Sequence, residues 1–381
     1  MSAAGYPTDY VAGVTEKAAR NQPEVVLGSI RSVVFVLLAV GLIWAIAGKR
    51  LSRRAAALGL LSLVAADLWS IEHRYWIFSP PAKKIYATDA AIEVMRAARE
   101  PGRVFAWDLL HTAVERDPAF GGGGTGDGDG LMVHRVRSVT GYHGNELGRY
   151  QQLIATANPL TLQFWRHENV HFLYTTIPDS LMPQVQAQLH WPSPPTKLLG
   201  PVRDAAGSTV YLYRLPGENP AAWVASAIVK GTDDQALATV LDPRFDPSRA
   251  AIVDTAAPMT AAQPSSIPAA SGVQARVTRY EPGIINVDLD KPVASGTALV
   301  VSENYFPGWR DVANGQSAVV TRANFNLIGV ALPAGAREVQ LRFIDTAYET
   351  GKTITLIAIA LTLLATIGGL VVDRRRLVTP A

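Results

Sequence analysis

The 381-residue chain is 48% hydrophobic but only 18% charged, a composition that excludes a disordered chain or a charged coiled coil and favours a membrane protein. It contains no cysteine, which excludes disulfides, thiolate metal sites and cysteine nucleophiles. The net charge is +3, but two short basic blocks at residues 49–54 and 374–376 carry more positive charge than that. The remaining chain has no general basic surface, so we predict no nucleic-acid partner.

Three apolar segments are long enough to be transmembrane helices. Residues 28–48 and 353–372 are almost free of charge, and at about 1.5 Å per residue each crosses roughly 30 Å of hydrocarbon. Residues 51–73 contain Asp67, but aromatic side chains such as Trp69 follow it, as is typical of a membrane interface. The membrane bilayer is therefore the first predicted partner.

Lysine and arginine set the predicted orientation. The positive-inside rule places residues 49–54 and the tail at 373–381 in the cytoplasm. The N-terminal tail, residues 1–27, and everything from residue 80 to the third span are then expected to be extracytoplasmic. The predicted fold class is a membrane protein of the α plus β type, with three transmembrane helices and a large extracytoplasmic region.

The composition divides that extracytoplasmic region into two predicted domains. Residues 80–255 alternate helical and strand patterns, which indicates a mixed α/β domain. The predicted elements include a strand at 103–107, a helix at 147–157 and a strand at 223–229. A linker rich in alanine, proline and serine follows at 256–271. Residues 272–346 switch to a period of two and include the turn pair Asn314-Gly315, which favours a hairpin. We therefore expect a membrane-proximal antiparallel β-sandwich.

Three short motifs suggest metal or nucleotide chemistry. His167 to His171 matches the zinc motif HExxH, but the second histidine begins a strand-like run, which favours a turn between a helix and a strand. The glycine-rich residues 121–130 contain the letters of a dinucleotide fingerprint without its strand and helix. Asp127 and Asp129 could begin a calcium loop, but its distal glutamate is missing. We assign no metal, no cofactor and no catalytic residue.

Five residues remain as candidate carrier or sugar contacts. Asp67, Glu72 and Arg74 lie near the outer end of the second span, where a carrier phosphate or a sugar hydroxyl could be met. Interfacial placement, or pairing of the acids with Arg74, is the structural alternative. Tyr305 and Trp309 flank a Pro-Gly turn and could stack on sugar rings, but the turn would equally fold them into the core.

Several segments resemble the YfhO family of bacterial membrane proteins and keep the family's order over nearly the whole chain. They are residues 29–35, 66–69, 74–75, 139–143, 169–176, 241–247, 302–309, 314–315 and 332–335.

This resemblance implies a glycosyltransferase of the GT-C type in the bacterial inner (plasma) membrane, which moves a sugar from a polyprenyl-phosphate carrier to an envelope polymer such as a teichoic acid. The family's active site belongs to an N-terminal bundle of many helices, whereas this chain has three predicted spans. The resemblance therefore implies the C-terminal, extracytoplasmic half, working with a multi-span catalytic partner. The alternative is a non-enzymatic, membrane-anchored binding or assembly subunit.

Overall fold

The computed structural model describes residues 8–76, 78, 80–98, 101–110, 117–120, 129–141, 145–262, 265, 267–313 and 316–378. The chain divides into two compact units, Met1–Pro80 and Pro81–Ala381.

The first unit is a helical hairpin. Helix α1 (Thr8–Ala47) is followed by helix α2 (Arg53–Glu72) and a short 3-10 turn (His73–Tyr75). The hydroxyl of Ser52 accepts a hydrogen bond from the backbone N–H of Ala55 and so caps the start of α2. Because α1 already begins at Thr8, the predicted N-terminal tail is helical from that residue onward.

The second unit contains the remaining elements. Its helices are α3 (Ala82–Ile85), α4 (Ala90–Arg96), α5 (Gly130–Val133), α6 (Gly148–Thr156), α7 (Leu162–His167), α8 (Met182–Leu189), α9 (Asp233–Val240) and α10 (Thr346–Val378). Its strands are β1 (Arg103–Trp107), β2 (Val170–Thr175), β3 (Thr196–Arg203), β4 (Thr209–Arg214), β5 (Ala222–Ala225), β6 (Ala227–Gly231), β7 (Ala250–Asp254), β8 (Ala275–Glu281), β9 (Ile284–Leu289), β10 (Ala298–Asn304), β11 (Trp309–Ala313), β12 (Gln316–Ala318), β13 (Val320–Ala323), β14 (Leu327–Ala331) and β15 (Glu338–Phe343).

Three helices are long and apolar enough to span a membrane, which confirms the three predicted spans as helices. They cover Val11–Ala47, Arg53–Tyr75 and Thr346–Val371, and the apolar window of each is entirely unburied within the chain. Exposed apolar surface of this extent is typical of a protein that associates with a membrane.

The strands form three sheets. The first has four strands in the order β1-β2-β4-β3, in which only the β1–β2 pair is parallel. The second has six strands in the order β5-β10-β14-β13-β7-β6, with β6 and β7 parallel. The third is antiparallel, with five strands in the order β12-β11-β15-β9-β8.

Apolar side chains from the second and third sheets share one core, which makes these two sheets a sandwich. Ile285 and Val287 of β9 and Leu341 of β15 are buried together with Val224 of β5 and Leu299 of β10. The alternation predicted for β9 is confirmed, because Ile285 and Val287 are buried and Asp288 is exposed. Both faces of the four-stranded sheet are also covered, so every residue of β2 is buried.

The sheets do not divide at the predicted linker. Strands β5, β6 and β7 precede residues 256–271, yet they complete the same sheet as β10, β13 and β14, which follow that segment. The two parts of the chain join in one sheet because β5 pairs with the edge of β10 over four residue pairs. The hairpin predicted at Asn314-Gly315 lies outside the described residues, although its flanking strands β11 and β12 do pair.

Candidate functional site

A cleft of about 370 Å³ lies in the second unit, within the size range of small-ligand sites. Three segments line it: helix α7, the loop that connects β4 to β5 together with the start of β5, and residues 240–247, which begin at the last residue of α9. We call it the α7 cleft. Aromatic and proline side chains form part of its wall, including Trp223 and Phe245, and polar side chains such as Gln163, Glu218 and Asn219 form the rest.

The wall contributed by residues 242–247 is held in shape by local hydrogen bonds. Asp242 accepts a hydrogen bond from the backbone N–H of Arg244 at 2.8 Å and others from its guanidinium. These hydrogen bonds lower the pKa of Asp242 to about 2. Asp246 in turn accepts from the N–H and the hydroxyl of Ser248 and lies 3.6 Å from Arg166 of α7. The segment is thus tied to the helix across the cleft.

The lining combines aromatic rings with planar hydrogen-bonding groups. Rings such as that of Phe245 provide apolar faces, while Arg166 and Gln163 provide donors and Asp242 provides acceptors. A sugar presents apolar C–H faces between hydroxyl groups that donate and accept hydrogen bonds. The α7 cleft therefore has the chemistry required to bind a carbohydrate.

Residues His167 to His171, which match HExxH, lie at a turn between a helix and a strand, as the sequence predicts. Helix α7 ends at His167, Asn169 has a positive φ of 51° and β2 begins at Val170. The two histidines have separate partners: Nε2 of His167 lies 2.7 Å from the amide oxygen of Asn326, and Nε2 of His171 lies 2.7 Å from the carbonyl oxygen of Asn219. The predicted local structure is found; the absence of zinc binding stays a prediction.

A buried ionic cluster lies where the three sheets meet. Arg103 of β1 is 3.4 Å from Glu168 and 3.4 Å from Glu303 of β10, and Arg137 is 2.6 Å from Glu303. The hydroxyl of Tyr280 in β8 also donates to Glu303. Burial raises the pKa of Glu303, but the two arginines outweigh it and leave that pKa below its ordinary value. The cluster joins the sheets with two cations against two anions.

Three aspartates lie near one another beside α4. Asp89 caps that helix and accepts a hydrogen bond from Tyr174 at 2.9 Å. Asp117 accepts from the hydroxyl of Ser208 at 3.0 Å, and Asp204 accepts from the backbone N–H of Ser208 at 2.7 Å. Burial, together with the adjacent Asp117 carboxyl, raises the pKa of Asp204 to about 7.

Asp204→Asn should raise the Tm of the detergent-solubilised chain at pH 8 and change it little at pH 4. The folded pKa of Asp204 is above its ordinary value of 3.8, so the folded state holds a proton that the unfolded state releases. The contribution of protonated Asp204 to the stability of the fold is thus present below about pH 4 and is lost as the pH rises through about 7. Thermal unfolding at both pH values tests this, with the exposed Asp234→Asn as control. A Tm that falls equally at both values would contradict it.

In the helical hairpin of the first unit, charged pairs join the two helices. The guanidinium of Arg31 forms an ion pair with Asp67 and donates to the hydroxyl of Ser70 at 2.6 Å. Arg74 pairs with Glu24 of α1 at 3.1 Å, rather than with either predicted acid. Glu72 is exposed at the end of α2. Of the three predicted contacts in this region, two are therefore engaged with the facing helix.

The aromatic pair at the Pro-Gly turn packs into the sandwich. Trp309 is only 8% exposed and contacts Phe343 edge to face at 5.5 Å between ring centroids, while Tyr305 is partly buried against the same core. Gly308 has a φ of 148°, and a Cβ on it would lie 2.8 Å from the Phe343 ring. That close approach of the turn is what brings Trp309 inside. This packing supports the core alternative.

Most of the glycine-rich segment, residues 121–128 with Asp127, lies outside the described residues, whereas Asp129 is described. Within the described part of the chain, no group of three or more histidine, aspartate or glutamate side chains is placed to hold a metal ion. The buried ionic cluster and the Arg31–Asp67 pair were not anticipated, because no local pattern marks residues that meet only after folding.

No protein-family model, no curated protein and no solved structure matches this chain.

Proposed function

We propose that this chain is the C-terminal, extracytoplasmic half of a YfhO-like glycosyltransferase that takes sugar from a polyprenyl-phosphate carrier in the bacterial plasma membrane. A multi-span catalytic partner supplies the active site. This chain holds the acceptor, an envelope polymer, in the α7 cleft.

The position of the α7 cleft carries the proposal. Residues 241–247, one of the segments that resembles the family, form a wall of the cleft. Its aromatic and polar lining suits a polysaccharide. Apolar helices flank the water-soluble part of the chain on both sides in sequence, so a polymer bound there would be kept close to a membrane-embedded carrier.

The ion pair between Asp67 and Arg31 supports a catalytic site elsewhere. A general base must approach the proton that it removes to roughly 2.6–3.2 Å. Asp67 is already paired with Arg31, and this pairing occupies its carboxylate. The same observation favours the second candidate, a non-enzymatic binding or assembly subunit anchored in the membrane.

A reconstituted transfer assay tests the proposal. Nanodiscs receive the chain, a multi-span glycosyltransferase of the GT-C type as candidate partner, or both, with labelled polyprenyl-phosphate sugar and an envelope polymer. We expect transfer only with both proteins, and we expect Phe245→Ala in the cleft to raise the KM for the polymer. The exposed Phe306→Ala, outside the cleft, is the matched control. Turnover by the chain alone that is lost in Asp67→Asn would overturn the proposal, whereas polymer binding without transfer would favour the second candidate.

The orientation that this function requires is open to a direct test. We expect an alkaline-phosphatase fusion after Lys84 to be active and one after Arg50 to be inactive, because the basic block at residues 49–54 should stay in the cytoplasm. The reverse pattern would place the α7 cleft in the cytoplasm and contradict the proposed function.

A further inference from the structure

A second cleft, of about 320 Å³, is lined by several cationic side chains. Arg96 at the end of α4, Arg135 after α5 and Arg137 in the following segment all line it, together with Thr278 and Tyr280 of β8. We call it the arginine cleft. Arg96 comes from a different segment of the chain from Arg135 and Arg137, so folding brings them to one cleft.

The charges of these arginines are only partly balanced. Arg96 is paired with Glu93 at 3.0 Å in an exposed ion pair, which water already weakens. Arg137 shares Glu303 with Arg103, and its guanidinium lies 4.1 Å from the centre of the Tyr280 ring. Burial and the proximity of Arg103 lower the pKa of Arg137.

Arg135 is the arginine of this cleft whose charge is least compensated by acidic side chains. It is solvent-exposed and forms no ion pair with a residue that the structure describes. Its φ of 60° is left-handed, a conformation that costs free energy for any residue except glycine and is common at the C-terminal end of a helix in glycine or asparagine. Because Arg135 is exposed and has no ion pair with a described residue, its side chain is available for a ligand.

We propose that the arginine cleft binds a phosphorylated sugar or sugar-phosphate unit. Guanidinium groups form charge-assisted, paired hydrogen bonds with phosphate oxygens. The exposed guanidinium groups of Arg96 and Arg135 at one cleft, with Arg137 in its wall, suit a tetrahedral anion with several acceptor oxygens better than a single planar carboxylate. The volume exceeds that of inorganic phosphate and leaves room for an attached sugar, which Thr278 and the Tyr280 ring can contact. This proposal does not depend on the function assigned to the α7 cleft.

Titration calorimetry on the detergent-solubilised full chain tests the site, with a hexose phosphate, inorganic phosphate, a hexuronate and the neutral hexose as probes. We expect the hexose phosphate to bind most tightly, and its affinity to fall as the salt concentration rises. Arg135→Gln and Arg96→Gln should each weaken it at least about tenfold, because each removes a charge-assisted hydrogen bond.

Arg279→Gln is the matched control, because Arg279 lies on the same strand as Tyr280 but is exposed and paired with Glu281 outside the cleft. It should leave the affinity unchanged. Equal loss in all three variants, equal binding of the neutral hexose, or no binding at millimolar hexose phosphate would each overturn the proposal. So would binding only to vesicles of anionic lipid, which would indicate a membrane-facing surface. Both Arg135 and Arg96 are exposed, so neither variant should impair folding.

Discussion

Arg103→Ala should lower the free energy of unfolding by about 3–5 kcal/mol, the usual cost of removing one partner from a buried ion pair. Arg103 is 5% exposed and is held between Glu168, which is fully buried, and Glu303. It also donates to the carbonyl oxygen of Glu168 at 2.6 Å and to the hydroxyl of Ser302 at 3.1 Å. Without it, two carboxylates are left in the interior with one remaining arginine. Thermal unfolding of the detergent-solubilised chain measures the loss, which we expect to be roughly 6 °C or more in Tm.

A matched arginine on the surface separates this effect from a general loss of charge. Arg279 pairs with Glu281, and both side chains are about half exposed, so Arg279→Ala should change the stability by less than about 1 kcal/mol. The pH dependence adds an independent check. The pKa of Glu303 is lower in the folded state than in the unfolded state. The ionised Glu303 therefore stabilises the fold at pH values above its pKa in the unfolded state, and this stabilisation is lost as the pH falls through its pKa in the folded state. A Tm of Arg103→Ala equal to that of Arg279→Ala would contradict the structural role of the cluster.

The spacing of apolar side chains was enough to predict helices and strands whose buried face is set within a single segment. The strand predicted at residues 103–107 is β1, the helix predicted at 147–157 is α6 within a residue at each end, and the apolar spans are helices. Each of these signals lies within one segment, where side-chain spacing reports the face that is buried. The single strand expected near Trp223 is in fact two, β5 and β6, because the chain changes direction at Ser226.

Long-range pairing accounts for what the sequence did not reveal. The second sheet joins strands from both sides of the linker, and nothing in the linker's composition shows that β5 will cover the edge of β10. The cluster around Arg103 has the same origin, since Arg103 and Glu303 are separated by 200 residues. Likewise, Asp67 was recognised as an acid in an apolar span, but its partner Arg31 lies on the other helix of the hairpin. Charge in a span predicts that a partner exists without saying which one.

Trp309→Ala is expected to have a similarly large effect, because the side chain is part of the sandwich core. It is 8% exposed and packs with Phe343 and with the buried side chains of both sheets. Truncation of a buried tryptophan leaves a cavity that typically costs about 3–5 kcal/mol, whereas Trp309→Phe retains most of the apolar contact. The measurement is again the Tm of the solubilised chain, together with its affinity for an envelope polysaccharide.

The neighbouring Phe306 is the control, because it belongs to the same turn but is 46% exposed. Phe306→Ala should change the Tm much less than Trp309→Ala. If Trp309 contacted sugar at the surface, Trp309→Ala would weaken polysaccharide binding while leaving the Tm unchanged, and Trp309→Phe would bind normally because a phenyl ring can still stack. If it serves the core, the Tm falls in the order wild type, Trp309→Phe, Trp309→Ala, and polysaccharide affinity measured well below each Tm stays constant. The two roles therefore predict opposite patterns in the same pair of variants.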